Sequence, residues 1–220
     1  MIHQLPLFPL GTILFPGATL NLHIFEERYR LMIGRCLETG SPFGVVLIRE
    51  GDEVEEGRIG ARPAEPYPVG TLARISANVR LEDGRYLLTA VGTARFHIES
   101  IVQRTPYMVA SVSELPEPSA VGAGAAVREL RATYTRYWQA VAVATGVPVE
   151  AEELPADPTE LAYQLADRLQ VNLARKQRWL EADLLTLLQE LNANLRAELA
   201  LLPVERRGPG EGPSGMGSLN

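Results

Sequence analysis

The sequence has few of the residues that most catalytic and structural sites need. Its single cysteine, Cys36, excludes an internal disulfide framework and fits a reducing compartment. Its one lysine, Lys176, follows an arginine, whereas the Walker A phosphate-binding loop needs a lysine that follows glycine. No apolar run reaches the roughly 18 residues of a membrane-spanning helix. The apolar segment 1–17 lacks lysine and arginine and is broken by proline and glycine, which is untypical of a signal peptide. We therefore predict a soluble, cytoplasmic protein without membrane contact.

The three histidines do not form a recognisable catalytic or metal-binding pattern. His3, His23 and His97 lie far apart on predicted strands, and none of them stands beside the cysteine or in an HExxH pair. His23 and Glu26 match the first part of an inverted zinc motif, HxxEH, but Glu27 occupies the position of its second histidine. With one cysteine and no histidine pair at ligand spacing, we predict that the chain has no zinc site.

Two further patterns are similar to functional motifs but lack essential parts. Gly122-Ala123-Gly124 has no third glycine and no strand leading into it, so it is interpreted as a linker rather than a dinucleotide-binding turn. Acidic pairs such as Glu55/Glu56 and Asp157/Glu160 are typical of solvated or helix-capping groups. We therefore predict no catalytic residue, no cofactor-binding residue and no metal ligand.

The charge of the chain argues against a nucleic-acid partner. The formal net charge is −6, and acidic residues outnumber basic ones both before and after residue 118. Proteins that bind nucleic acid neutralise phosphates with clustered arginine and lysine, and neither half of this chain is basic.

The apolar pattern before about Glu117 is short and strand-like. Residues 50–68 are acidic and then rich in proline and alanine, which predicts a long exposed loop. Asp83-Gly84 predicts a hairpin turn, and Gly92 is interpreted as a separator between two strands. The predicted strands and short apolar segments are Leu5–Leu10, Ile13–Phe15, Thr19–Phe25, Phe43–Arg49, Val69–Leu81, Arg85–Ala90, Ala94–Val102 and Tyr107–Leu115.

One helix is predicted inside this strand-rich half, at Glu26–Leu37. Its apolar residues recur with the helical period of one buried stripe. The helix start mixes aromatic, acidic and basic residues. We interpret it as Phe25 and Tyr29 buried, with Arg28 and Arg30 bridging to acids or carbonyls, rather than as a nucleic-acid contact.

The second half has a helical pattern throughout. A linker is predicted at Glu114–Gly124, followed by a helix over Val127–Ala144. Asp157-Pro158-Thr159-Glu160 has the features of a helix start, with a capping residue, proline at the first helical position and a glutamate in the first turn. A long leucine-striped helix is predicted to run to about Leu202, with Asn172 as its capping residue. Residues 205–220 have little to bury and are predicted to be a disordered tail.

Taken in order, several segments of the chain resemble the N-terminal domain family of Lon-type ATP-dependent proteases over about residues 4–203. The matching segments are LPLFPL (5–10), LFPG (14–17), LHIFEERYR (22–30), FGVV (43–46), VGTLARI (69–75), DGRY (83–86), GTARF (92–96) and KQRWLE (176–181). The resemblance implies an α+β fold: a PUA-like β-barrel of about six strands plus one helix, followed by an α-helical subdomain. The predicted domains are accordingly a PUA-like β domain at 1–118, a helical bundle at 119–204 and the tail at 205–220.

The resemblance also implies a function. In full-length Lon proteases this region recognises unfolded or tagged substrates and helps assembly, and it contains neither the ATPase nor the Ser-Lys protease site. We therefore expect a stand-alone, non-enzymatic module that lacks both catalytic domains. We expect it to bind unfolded polypeptide segments or a protein partner, as an adaptor or regulator in protein quality control.

Three functional hypotheses remain open from the sequence. In the first, a sheet edge or a groove between barrel and helices accepts an extended peptide, with the loop 50–68 at its rim. In the second, the chain is a PUA-like RNA-binding protein, which the acidic composition opposes. In the third, it regulates a Lon-type protease in trans, which is compatible with the first hypothesis. The ligand, the binding face and the oligomeric state are left undetermined.

Overall fold

The computed structural model describes residues 2–51, 62–148 and 153–202, except the side chain of His3. The predicted tail 205–220 and most of the predicted loop 50–68 lie outside these residues. The described elements are β1 Ile2–Leu10, β2 Thr19–Ile24, α1 Glu27–Thr39, β3 Phe43–Glu50, β4 Glu65–Pro66, β5 Val69–Arg80, β6 Tyr86–Gln103, β7 Val109–Glu114, α2 Gly124–Thr145, α3 Pro158–Arg168, α4 Leu173–Glu181 and α5 Leu184–Leu201. The predicted α+β fold, with a strand-rich half followed by helices, is confirmed.

Five of the strands pair in a closed ring. β1 is antiparallel to β7, β7 to β6, β6 to β5 and β5 to β3, and β3 returns to β1 in a parallel pair. Because β3 pairs back with β1, each of the five strands has a strand neighbour on both sides within the ring. The short strand β4 pairs with β3 inside the segment predicted as a loop, so that part of the loop prediction is wrong.

The ring is filled by apolar side chains around Phe96, which is fully buried. Two glycines make room for its aromatic ring. A Cβ atom on Gly44 would lie 2.7 Å from Phe96 Cζ, and one on Gly70 would lie 2.9 Å from the same atom. The glycines of the FGVV and VGTLARI segments and the phenylalanine of GTARF therefore form one packing unit.

β6 is a single strand, and the prediction that Gly92 separates two strands is wrong. The strand runs past Gly92, where the loop that carries Phe15 crosses it closely. A Cβ atom on residue 92 would lie 2.4 Å from the backbone oxygen of Phe15. Glycine is required here for close backbone approach and not for a chain break.

Beyond the ring, β6 pairs with β2 on one side and with the second half of β5 on the other. Helix α1 covers the inner face of this three-stranded extension. The predicted stripe is Tyr29, Met32, Ile33, Cys36 and Leu37; the first four are buried, and Leu37 is partly buried. This stripe shares one hydrophobic cluster with Leu88 of β6 and with other inward-facing strand residues.

The interpretation of the helix start is partly confirmed. Tyr29 is buried, and the Arg28 guanidinium lies 3.1 Å from the Glu26 carboxylate. Phe25, predicted to be buried, is 48% exposed. The reason is strand alternation: Ile24, the last residue of β2, points inward, so the next side chain points to the other face.

The only cysteine, Cys36, is buried. Cys36 lies under the strand extension, and burial raises the pKa of its thiol to about 11, with Arg35 opposing the shift. Because the thiolate is the nucleophile, we expect the native protein to react with Ellman's reagent at pH 8 on the order of 100-fold more slowly than the unfolded chain. Absorbance of the released thiolate measures both rates. Equal rates in native buffer and in urea would show that Cys36 is accessible.

The prediction of one long last helix is wrong, because the chain breaks between α4 and α5. Ala182 is extended, with ψ 156°, and the Asp183 carboxylate accepts a hydrogen bond from Thr186 N at 2.9 Å. Asp183 therefore caps a new helix, and this local hydrogen bond competes with helix continuation. Most of the predicted leucine stripe still faces the core: the leucines at 180, 184, 187, 188, 191 and 195 are buried, and Leu199 is half-buried.

The two predicted helix-capping residues have their expected roles. Asp157 Oδ1 accepts hydrogen bonds from Thr159 N at 2.8 Å and from Glu160 N at 2.9 Å, at the start of α3. Asn172 Oδ1 accepts from Arg175 N at 2.8 Å, at the start of α4. These caps satisfy backbone donors that no helical carbonyl can reach.

The strands and the helical half share a core and a set of buried hydrogen bonds. The Arg95 guanidinium, on β6, donates to the carbonyl oxygens of Leu180 at 2.9 Å, Ala182 at 3.1 Å and Pro116 at 3.3 Å. Gln177 Nε2 donates to the carbonyl of Val69 at 3.0 Å. The GTARF and KQRWLE segments thus connect the two halves. The carbonyl oxygens of Leu180 and Ala182, at the break between α4 and α5, accept hydrogen bonds from Arg95.

Candidate polypeptide-binding surface

The three-stranded extension aligns side chains in rows across its outer face. The register pairs His23 of β2 with Leu87 of β6, and Leu87 with Val79 of β5. The next outward row pairs Asn21 with Thr89 and Thr89 with Ala77. We call the six residues of these two rows, together with Phe25, the outer face.

The outer face exposes large apolar side chains. Val79 is 59% exposed and Leu87 is 46% exposed, and Phe25 lies beside His23 with 5.9 Å between ring centroids. The two rows line a hollow of about 400 Å³. Val79 and Leu87 are neighbours on two adjacent strands, and Phe25 follows β2 on the far side of His23, so three exposed apolar side chains lie on one face rather than scattered over the protein.

One edge of the outer face lies beside a narrow slit. Within the described part of the chain, β2 pairs only with β6, so its other edge has no strand partner. The slit along that edge has a volume of about 230 Å³ and is lined by Phe8, Leu10 and Tyr29 among others. An unpaired edge beside apolar side chains is the geometry that strand addition of an extended peptide uses.

The hairpin at the tip of β5 and β6 is closed by a glycine turn and local hydrogen bonds. Gly84 has the positive φ of 79° that the turn requires, and the predicted Asp83-Gly84 turn is confirmed. The Asp83 carboxylate accepts from Arg85 N at 3.1 Å and from Arg85 Nε at 2.7 Å. The backbone hydrogen bond is the main cause of a lowered Asp83 pKa. These local hydrogen bonds close the turn that joins the strands of Val79 and Leu87.

The histidines are not brought together. His23 is on the outer face, whereas His97 pairs with Val69 in the ring and has Glu99 at 3.5 Å. Among residues 2–51, 62–148 and 153–202, no group of three histidine, cysteine or acidic side chains could hold a metal ion. The absence of catalytic, cofactor and metal residues stays a prediction.

The sequence contained a signal for the outer face that the predictions did not use. Ala77 and Val79 alternate with polar residues, and alternation alone does not tell which face is buried. The structure places both residues on the exposed side of β5. Leu87 and Leu88 are adjacent apolar residues, and only Leu88 is buried. Two adjacent apolar residues in a strand point to opposite faces, so one of them must lie outside the core. The Leu87-Leu88 pair could therefore have predicted an apolar surface on the outer side of β6.

No helix in the described ranges is both long enough and apolar enough to cross a bilayer.

The sequence profile of one family, the substrate-binding domain of ATP-dependent protease La (LON), matches residues 4–200. The Lon protease of Anaeromyxobacter dehalogenans is 28% identical over 92% of this chain and 23% of its own length. Lon protease 2 of Myxococcus xanthus is also 28% identical, over 92% of this chain and 24% of its own length. The chain thus spans about a quarter of the length of these curated relatives.

Two solved structures have the same fold. A Lon N-terminal domain protein from Xanthomonas campestris matches with a TM-score of 0.57 and 26% identity, over 92% of this chain and 100% of that one. The N-terminal domain of the Mycobacterium avium complex Lon protease matches with a TM-score of 0.56 over 88% of this chain and 98% of that one. Its 19% identity supports a likeness of fold alone. The chain belongs to the Lon substrate-binding domain family.

Proposed function

We propose that this chain is a non-enzymatic, cytoplasmic recognition module that binds exposed apolar segments of unfolded polypeptides on its outer face. It would act as an adaptor or regulator in protein quality control. The observation that carries this proposal is the exposure of Val79, Leu87 and Phe25 on one face, with His23 between Leu87 and Phe25, beside the unpaired edge of β2. The matched family supports it, because the matched domain is the one described as substrate-binding.

The physical argument rests on two contributions to binding. Burying apolar side chains gains about 25 cal/mol for each Å² removed from water. An extended segment that pairs with β2 gains backbone hydrogen bonds in addition, and these do not depend on the sequence of the segment. A surface that combines both contributions binds many unfolded chains with little sequence preference, as substrate capture requires.

The proposal is tested by a double substitution, Val79→Thr with Leu87→Thr. Threonine keeps the strand preference of the positions and removes apolar surface. We expect the dissociation constant for a fluorescent, uncharged apolar peptide to rise by about tenfold, as a loss of about 1.4 kcal/mol requires. Fluorescence anisotropy measures binding, and circular dichroism confirms that the variant is folded.

Val102→Thr is the matched control, because Val102 is on the same strand as Leu87 and is 55% exposed, but lies outside the outer face. Its peptide affinity should equal that of the wild type. Equal affinity of the double variant and the wild type would contradict the proposal. Salt-sensitive binding of single-stranded RNA without peptide binding would instead favour the nucleic-acid alternative.

A further inference from the structure

His23 lies on the outer face beside the unpaired edge of β2. On one side it is directly opposite Leu87 of β6, and on the other side it lines the slit along the edge. A strand that adds to this edge places one of its residues directly opposite His23, with the two Cβ atoms about 5 Å apart. The side chain of His23 therefore contacts a polypeptide that binds by strand addition.

The imidazole of His23 is exposed and is not engaged by the protein itself. Within the described part of the chain it makes no hydrogen bond or ion pair. Its ring contact is with Phe25, at 5.9 Å between centroids. The next outward residue of the strand on the other side is Asn21, which carries no charge. Both ring nitrogens of His23 are thus accessible to a bound segment.

The charged groups around His23 are paired with each other. In the slit, the buried Glu26 carboxylate lies 3.1 Å from the Arg28 guanidinium. At the hairpin tip, Arg85 is the outward residue diagonal to His23, and its Nε lies 2.7 Å from the Asp83 carboxylate. Each of these acids has a cation beside it, so neither presents a net negative charge to His23.

The other elements around His23 contribute no charge to its row. β6 contributes Leu87, and β5 contributes Val79 beyond it. From α1, Tyr29 lines the slit, but its ring is buried against Phe8 at 4.1 Å between centroids. The row of His23 is therefore apolar except for the imidazole.

A histidine side chain gains a positive charge between pH 8 and pH 5. Protonation of His23 therefore places a positive charge in an otherwise apolar row, at the edge where a segment binds. Opposite charges that face each other on neighbouring strands attract, and like charges repel. The charge of His23 thus affects which residue of a bound segment is accepted opposite it.

We propose that His23 is a specificity-determining residue of the outer face, which selects segments with aspartate or glutamate opposite it and rejects lysine or arginine there. The preference is present in mildly acidic solution and is lost as the pH rises and the imidazole loses its proton. This inference rests on the proposed function. It adds a substrate class to it: apolar segments that contain an acidic residue.

The test uses three fluorescent peptides with one variable residue, glutamate, glutamine or lysine, at the centre of an apolar segment. The residues on either side of the centre face the apolar slit, so the central side chain points to the outer face. The glutamate side chain is still ionised at pH 5.5. At this pH and low salt, we expect it to bind about threefold more tightly than glutamine, and lysine about threefold more weakly, as exposed cross-strand charge pairs allow.

The decisive quantity is the ratio of the glutamate and glutamine affinities, which should fall towards one between pH 5.5 and pH 8. His23→Gln keeps a polar side chain without the charge and should remove this pH dependence. His23→Arg should keep the preference for glutamate at both pH values, which a purely structural role of His23 would not produce. His97→Gln is the matched control, because His97 lies on the closed ring, opposite Val69, and its ratios should equal those of the wild type.

The inference and the proposed function fail in different ways. A wild-type ratio that does not change with pH, or an unchanged pH dependence in His23→Gln, would overturn the inference alone, because the glutamine peptide still binds. If none of the three peptides binds at either pH, the outer face does not capture polypeptide, and the proposed function and the inference are both wrong.

Discussion

Replacing Arg95 with methionine is expected to lower the free energy of unfolding by about 3 kcal/mol, among the largest effects of any single substitution in this chain. Methionine keeps much of the unbranched apolar stem and removes the guanidinium. Three carbonyl oxygens, those of Leu180, Ala182 and Pro116, then lose their donor. Arg95 is only 8% exposed, so water does not readily replace the lost hydrogen bonds. The melting temperature should fall by about 10 °C.

Both tryptophans, Trp138 and Trp179, lie in the helical half, so their fluorescence reports on that half. In the Arg95→Met variant we expect the fluorescence transition to occur at a lower denaturant concentration than the far-ultraviolet circular dichroism transition. The reason is that the substitution removes the main polar connection between the strands and the break between α4 and α5. Coincident transitions would argue that the shared apolar core is sufficient to keep the two halves cooperative.

Two further substitutions check the cause of this effect. Arg95→Lys keeps the charge but offers a compact ammonium in place of a planar fork of donors, so an intermediate loss of stability is expected. Arg74→Met removes an exposed arginine from β5 and should change stability by no more than about 0.5 kcal/mol. If the Arg95→Met variant had the same free energy of unfolding as the wild type, the three hydrogen bonds would make no net contribution to stability.

The sequence pattern was sufficient to predict a strand-rich half followed by helices, because hydrophobic period and turn chemistry act locally, whereas the α+β fold with a PUA-like barrel was implied by the family resemblance. The helical period over Tyr29–Cys36, the Asp83-Gly84 turn and the cap at Asp157 all depend on residues close together in the chain. The errors have two kinds of cause. The position of Gly92 inside β6 depends on a loop that crosses it, which is a long-range effect. The break at Ala182 has a local signal in the Asp183 cap, and a distant arginine then binds the carbonyl of Ala182.

The candidate sites were harder to predict because each depends on which face of an element meets the core. Phe25 follows an inward-facing residue and is therefore exposed, although its position before a helix suggested burial. A groove between the strands and the helical half is lined by acidic residues of α3, its capping residue Asp157 and Glu117 before α2, and only the packing of the two halves brings them together. The sequence predicted a groove between the barrel and the helices, but it did not predict which residues line that groove.

Replacing Gly70 with alanine is the other substitution with a large expected effect, a loss of about 3 kcal/mol of stability. The new Cβ atom would lie 2.5 Å from the backbone oxygen of Val45 and 2.5 Å from Val46 Cγ1. Because the first of these contacts is backbone of the adjacent strand β3, no side-chain rotation relieves it. β5 and β3 must separate, which disturbs the closed ring and the packing of Phe96.

Gly34→Ala provides the matched control for this substitution. Gly34 is inside α1, and a Cβ atom there would meet only the Tyr86 hydroxyl, at an ordinary 3.7 Å. Alanine is favoured over glycine in a helix interior by about 1 kcal/mol, so this variant should be more stable than the wild type. Urea unfolding followed by circular dichroism measures both variants. If Gly70→Ala were as stable as Gly34→Ala, the close packing of β3 and β5 around Phe96 would not constrain the ring.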